Sequence, residues 1–247
     1  MRSIVISAYN SDLSWIDNIN EIIIYIYDKS DNHKYEKYEN VYYEILPNVG
    51  REPHTYFYHI VKYYDNLTDI TYFSQDNPIE HIDNFVEIIN TKQINKDLYV
   101  NIDDSYCVFC SNNKNFGNLQ KSNHFSDGVV LKCLSDGSPH HFEKINCDKY
   151  WNMFFKNERP DKFYEFVPAL HFFITSDFIL REKSFYIKII ELLEKDNKSP
   201  WIIERLFSYI FDNCYQIKNQ VMSSFSTSFP RRRESRKANR QSLQLAQ

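Results

Sequence analysis

The sequence predicts an α/β domain with a mostly parallel central sheet and helices on both faces, and three observations carry that expectation. Short apolar runs of strand length alternate with helical stretches over residues 2–110, the pattern of a parallel sheet wound with helices. Polar, turn-forming residues fall where those runs end, and in such sheets ligands sit at the carboxyl ends of the strands. At 247 residues the chain suits one large core better than two small ones.

Taken in order, residues 4–7, 22–27 and 41–46 are β-branched and aromatic runs of strand length. Asn48-Val49-Gly50-Arg51-Glu52-Pro53 follows the third run. Gly50, one of only four glycines, can supply a positive φ, and Pro53 suits the first position of a helix over residues 53–64, where a missing N–H costs nothing. Residues 70–74 form a fourth strand, and residues 78–89 a second helix with Asn77 as N-cap. Residues 98–102 read as another strand. The stretch 111–147, holding Gly117, Gly128, Gly137, His124, His140 and His141, reads as a long irregular excursion beside a cleft. Asp148 caps a helix that begins just before Tyr150. Residues 166–175 hold one or two strands broken at Pro168, and residues 185–193 and 200–214 are two helices, the second with Ser199 as N-cap and Pro200 at its first position.

Composition narrows the function classes. The net charge of −4 hides a basic tail, with Arg231, Arg232, Arg233, Arg236, Lys237 and Arg240 against Glu234 alone, so the body is acidic. An acidic body argues against a nucleic-acid partner, which needs a basic stripe on the folded surface. The Ser/Arg/Gln style of the tail divides the chain into a domain over residues 1–222 and a disordered basic extension over 223–247. Five cysteines without a secretory pattern point to a reduced, cytoplasmic setting. No apolar run approaches the roughly 18–20 residues of a spanning helix, which excludes an integral membrane segment and leaves peripheral contact at the inner face open. The 19 Tyr and 19 Phe fit aromatic-lined clefts, but a coding bias toward Tyr, Asn, Ile and Lys is the weightier explanation.

Three polar loops, residues 8–12, 48–52 and 75–81, begin where predicted strands end and so converge on one sheet edge. Arg51 beside the first amides of a helix makes an anion site; the plainer alternative is a surface pair with Glu52. His59 falls on a helix interior and reads as packed. Cys107 and Cys110, with Cys133, His140, His141 and Cys147, invite a zinc site, but Val108-Phe109 between the first two looks like strand rather than a ligand-bearing turn.

Tyr9-Asn10-Ser11-Asp12-Leu13-Ser14-Trp15, the block from Asn48 to Ile60, and Phe73-Ser74-Gln75-Asp76-Asn77-Pro78 with His81 resemble the domain-of-unknown-function family 3431. The likeness returns at residues 169–176 and 201–211, where Glu204-Arg205-Leu206-Phe207 stands. This resemblance implies a variant of the GT-A glycosyltransferase domain. It implies a nucleotide-sugar donor held by Tyr9, Asn10, Asp12, Arg51, Asp76 and Asn77, and a glycan or lipid-linked acceptor in surface polysaccharide or lipopolysaccharide assembly. GT-A enzymes commonly hold Mn²⁺ or Mg²⁺ through an Asp-x-Asp element; here Asp76 is the single carboxylate at that strand end, with Asp103-Asp104 a second choice. Inverting members need a base for the acceptor hydroxyl. Glu204, near the start of a late helix and beside the apolar stripe Ile203, Leu206, Phe207 and Ile210, takes that role, with His81 as alternative and a solvated Glu204/Arg205 pair as the plain reading. The rival functions are a non-catalytic nucleotide-sugar or glycan-binding module and a zinc-stabilised interaction protein.

Overall fold

Alternation along the first strand, Arg2–Ala8 (β1), divides the hydrophobic core in two. Ile4, Ile6 and Ala8 belong to one cluster with Trp15, Ile16, Phe85 and Ile89. Val5 belongs to the other, with Tyr56, Phe57, Phe172, Tyr186, Leu206 and Phe207. Successive side chains of a strand point to opposite faces, so a run buried at every position must be covered on both sides. The expected helices on both faces are present for that reason.

The computed structural model describes residues 1–38, 41–80, 82–91, 99–103, 106–109, 147–158, 171–176, 179, 181–211 and 217. After β1 come a short 3-10 helix at Ser14–Asn18, β2 Ile23–Asp28, β3 Tyr42–Ile45, α1 Arg51–Lys62, β4 Ile70–Gln75, a 3-10 turn at Pro78–Glu80 and α2 Phe85–Thr91. The remainder comprises β5 Tyr99–Asp103, β6 Tyr106–Phe109, α3 Cys147–Phe154, β7 Phe172–Thr175, α4 Lys183–Lys195 and α5 Ser199–Phe211. These strands form one seven-stranded sheet in the order β3-β2-β1-β4-β7-β6-β5. β3, β2, β1 and β4 are parallel neighbours, whereas β7, β6 and β5 join antiparallel. The four parallel strands therefore end on one edge, the edge to which the three polar loops were assigned.

The antiparallel half settles the place of Asp103. β7 runs against β4, β6 against β7 and β5 against β6, so β5 ends on the opposite edge. Its pairing agrees: Asp103 opposes Tyr106, which opposes Ile174, which opposes Thr71 near the start of β4. Asp103, the second choice, thus stands on the edge of the sheet opposite the loops of the parallel half, and Asp104 lies outside the described residues.

Local boundaries differ from the sequence expectation in three places. α1 starts at Arg51, two residues before Pro53, so the proline occupies the third helical position, which also lacks an intrahelical partner for its N–H. The stretch predicted as one helix over residues 78–89 is a 3-10 turn followed by α2. Ser199 is not an acceptor cap: it is the first residue of α5, and its Oγ donates to the Asp196 carbonyl at 2.7 Å, tying the end of α4 to the start of α5. The aromatics are chiefly core material; Phe73 stacks on Phe172 at 4.7 Å, and Phe207 meets Phe57 and Phe172 at 5.1 Å each.

Candidate active site at the carboxyl edge of the parallel strands

Asp76, just past β4, organises this edge. Its Oδ2 accepts hydrogen bonds from three successive backbone amides, Tyr9 at 2.8 Å, Asn10 at 3.1 Å and Ser11 at 3.0 Å. Successive amides turned toward one point form a concave anion-binding nest; the loop after β1 is such a nest, and Asp76 fills it. The Trp15 indole N–H donates to the Asp76 carbonyl at 2.9 Å, and Tyr35 O–H reaches Oδ2 at 3.4 Å and the Ser11 carbonyl at 2.7 Å. Burial first, and then the Asp76 charge, holds the Tyr35 hydroxyl well above its ordinary value. Oδ1 of Asp76 makes no hydrogen bond among the described residues.

The other predicted donor-site residues divide between local structure and open surface. Asp12 accepts from Ser14 N at 3.2 Å and Ser14 Oγ at 2.6 Å, bonds that open the 3-10 helix and hold its carboxyl below the usual range. Asn77 Nδ2 donates to Glu80 Oε2 at 3.1 Å across the 3-10 turn. Tyr9 is 45 % exposed, and Asn10 is exposed with its carbonyl accepting from Lys34 Nζ. Tyr9 thus offers an aromatic face at the mouth of the edge.

Across the edge, α1 opens with two consecutive left-handed residues, Gly50 at φ +62° and Arg51 at φ +50°. At Gly50 both conformation and space demand glycine: a Cβ would lie 2.7 Å from His54 Cβ and 2.8 Å from Leu193 Cβ. At Arg51 the conformation is strained, by roughly 1–3 kcal/mol. The Arg51 guanidinium carbon sits 4.4 Å from the centre of the Trp201 ring on α5, a cation–π contact, and Nε is 3.4 Å from Glu52 Oε2. The surface pair with Glu52 is therefore real, and the same guanidinium also bridges to α5.

Glu204 lies one turn along α5 from Trp201. Arg205 Nη1 donates to Glu204 Oε2 at 3.0 Å and to the Trp201 carbonyl at 2.5 Å, and both side chains are largely buried. Glu52, Arg51, Trp201, Arg205 and Glu204 thus form one chain of contacts between the starts of α1 and α5. Tyr56, one turn along α1 from Glu52, is wholly buried, and its hydroxyl has no hydrogen-bond partner among the described residues. Burial raises that hydroxyl far above its ordinary value, and Glu52, Asp76 and Glu204 all lie close enough to raise it further.

Several expectations take their final place here. His59 is packed, as its helical position suggested, with Nδ1 2.9 Å from Tyr27 Oη. His81, Cys110, Cys133, His140, His141 and the extension 223–247 lie outside the described residues. Cys107 stands within β6 and Cys147 opens α3. No group of three or more His, Cys, Asp or Glu among the described residues could hold a metal ion. Oδ2 of Asp76 is committed to three amides, which leaves Oδ1 as the oxygen through which this carboxylate would meet a ligand. Sequence reasoning missed Lys29, Tyr56 and Trp201. Trp201 carried a signal, since an aromatic three residues before Glu204 shares its helix face; Lys29 and Tyr56 carried none.

A profile of the family described as "Protein of unknown function (DUF3431)" matches residues 4–229. The chain belongs to this family. The match takes in all the loops of the candidate site and runs past Met222, the boundary drawn from composition, to the residue before Pro230. No curated protein matches the chain. No helix among the described residues is long and apolar enough to cross a membrane.

Proposed function

We propose that this member of the family is an inverting glycosyltransferase with a GT-A-like domain. It moves a sugar from a nucleotide-sugar donor to a glycan or lipid-linked acceptor in surface polysaccharide or lipopolysaccharide assembly, at the cytoplasmic face. The observation that carries the reading is the contact of Arg51, at the N-terminus of α1, with Trp201 of α5, one helical turn before Glu204. A fixed cation and helix-start amides suit a departing diphosphate, and a carboxylate beside them suits the acceptor hydroxyl. The order β3-β2-β1-β4, all parallel, with loops gathered at its carboxyl edge, is the architecture in which nucleotides bind.

In the proposed reaction the acceptor oxygen bonds to the anomeric carbon as the bond from that carbon to the diphosphate oxygen breaks. The acceptor proton passes to a Glu204 carboxylate oxygen. The charge left on the diphosphate is met by the Arg51 guanidinium and the first amides of α1. Tyr9, an exposed aromatic in the loop after β1, is the residue proposed to stack on the nucleobase. The commitment of Asp76 to the β1 loop and of Glu204 to Arg205 favours the rival reading, a nucleotide-sugar-binding module without turnover.

A thermal-shift panel of nucleotide sugars, free nucleotides and free sugars, each with and without Mn²⁺, tests the binding half. Selective binding at a hundred times Kd stabilises the folded state by about 2.7 kcal/mol, so one nucleotide sugar is expected to raise Tm by several degrees above its nucleoside. A uniform absence of shift at millimolar ligand would contradict both readings.

A further inference from the structure

The end of β2 sends a lysine side chain inward. Lys29 is 5 % exposed, and its Nζ donates to the carbonyls of Val49, at 2.7 Å, and of Arg51. Those two carbonyls flank the left-handed pair Gly50 and Arg51. An arginine at positive φ relaxes toward the right-handed region unless its surroundings hold it. Here its carbonyl is held from below by Lys29, while its guanidinium lies over Trp201. The peptide unit that leads into Lys29 is anchored on both edges: its N–H donates to the Ala8 carbonyl at 2.8 Å, and Leu46 N–H donates to its carbonyl, that of Asp28, at 2.9 Å. The amine therefore projects from a fixed sheet edge. Burial pulls it down to about 7, with Glu52 opposing the shift and Arg51 adding to it. A neutral amine still has two N–H donors, as many as there are carbonyls, so the contact persists in either protonation state.

From this geometry we infer that Lys29 is a positioning residue for the anion site: by clamping the Val49 and Arg51 carbonyls it holds the Gly50–Arg51 turn left-handed and fixes the guanidinium beside the first amides of α1. The identity of the anion as a diphosphate rests on the proposed function; the clamp does not.

The test uses the full chain, with Lys29→Met removing both donors and Lys29→Arg keeping them. Amide exchange over residues 49–54 is followed without ligand, and binding of inorganic pyrophosphate and of free nucleosides is followed by calorimetry. Lys29→Met is expected to speed exchange in that segment, and to weaken pyrophosphate, by about ten- to a hundredfold, with nucleoside affinity unchanged and Lys29→Arg recovering most of both losses. Wild-type exchange in Lys29→Met overturns the clamp, and so does an equal loss of nucleoside and pyrophosphate affinity. A wild-type protein that binds no pyrophosphate overturns the diphosphate reading instead, and the exchange comparison then decides the clamp by itself. Where Lys29→Met does not fold, the same change in an Arg51→Gly background is expected to fold, because glycine takes the left-handed conformation without strain. Failure of both variants overturns the inference.

Discussion

Arg51 has three attachments: its carbonyl to Lys29, its guanidinium to Trp201, and Nε to Glu52. None of them uses up a guanidinium's five N–H donors, so the group can still receive a phosphate in bidentate fashion. Arg51→Ala is expected to weaken nucleotide-diphosphate binding by about ten- to a hundredfold, the worth of a charged hydrogen bond, while nucleoside binding holds. Equal losses by calorimetry would take Arg51 out of the diphosphate site. The buried imidazoles give a second prediction. Burial holds His54 and His59 down to about 3, with Lys29 adding to the effect at His54 and Lys62 at His59. In the unfolded chain both protonate near 6.5, so their contribution is complete above that pH and is lost as pH falls from 6.5 toward 3. The urea midpoint at pH 4.5 is expected to lie well below that at pH 7, with part of the fall absent in His54→Gln. Identical pH slopes for wild type and variant would show that His54 is not buried as a neutral base.

At the scale of elements, the turn into α1 is the most demanding piece of backbone in the site. Gly50→Ala adds a Cβ at positive φ against two backbone-anchored Cβ atoms, of His54 and Leu193. The expected loss is about 3 kcal/mol or more, read as a lower denaturant midpoint with unchanged slope. A loss under about 0.5 kcal/mol, the range of neutral surface changes, would mean that α4 does not press on this turn. This turn was legible in the sequence because Gly50 and Pro53 each have a local backbone meaning. So were the four parallel strands, whose apolar runs alternate with helix and turn signals. Ser199 was misread because its hydroxyl bonds backward to α4, a choice that depends on how two helices meet. The break between the Pro78–Glu80 turn and α2 was equally hidden, since the residues carry helical periodicity throughout.

Over the whole molecule, what the sequence could not show is what pairs across long separations. The antiparallel pairings of β7 with β4 and with β6 join strands far apart in the chain, and no local pattern states which neighbour a strand will take. Asp76 is the sharpest case. As a sequence letter it was a ligand candidate at a strand end; in the fold its Oδ2 closes a nest of amides some 65 residues away. Glu204 was legible as a boundary residue, but its meeting with Arg51 through Trp201 was not, because α1 and α5 come together only when both cover the same face of the sheet. The proposed function requires that meeting to support turnover and not merely binding. Its most direct test is sugar transfer from a nucleotide sugar identified by the thermal-shift panel, at saturating donor, comparing wild type with Glu204→Gln. The amide keeps the shape of the carboxylate but cannot take the acceptor proton. The variant is expected to bind donor as wild type does and to lose about a hundredfold or more in turnover; wild-type turnover in Glu204→Gln would contradict the assignment of the base, and binding without any transfer by the wild-type protein would contradict glycosyl transfer itself.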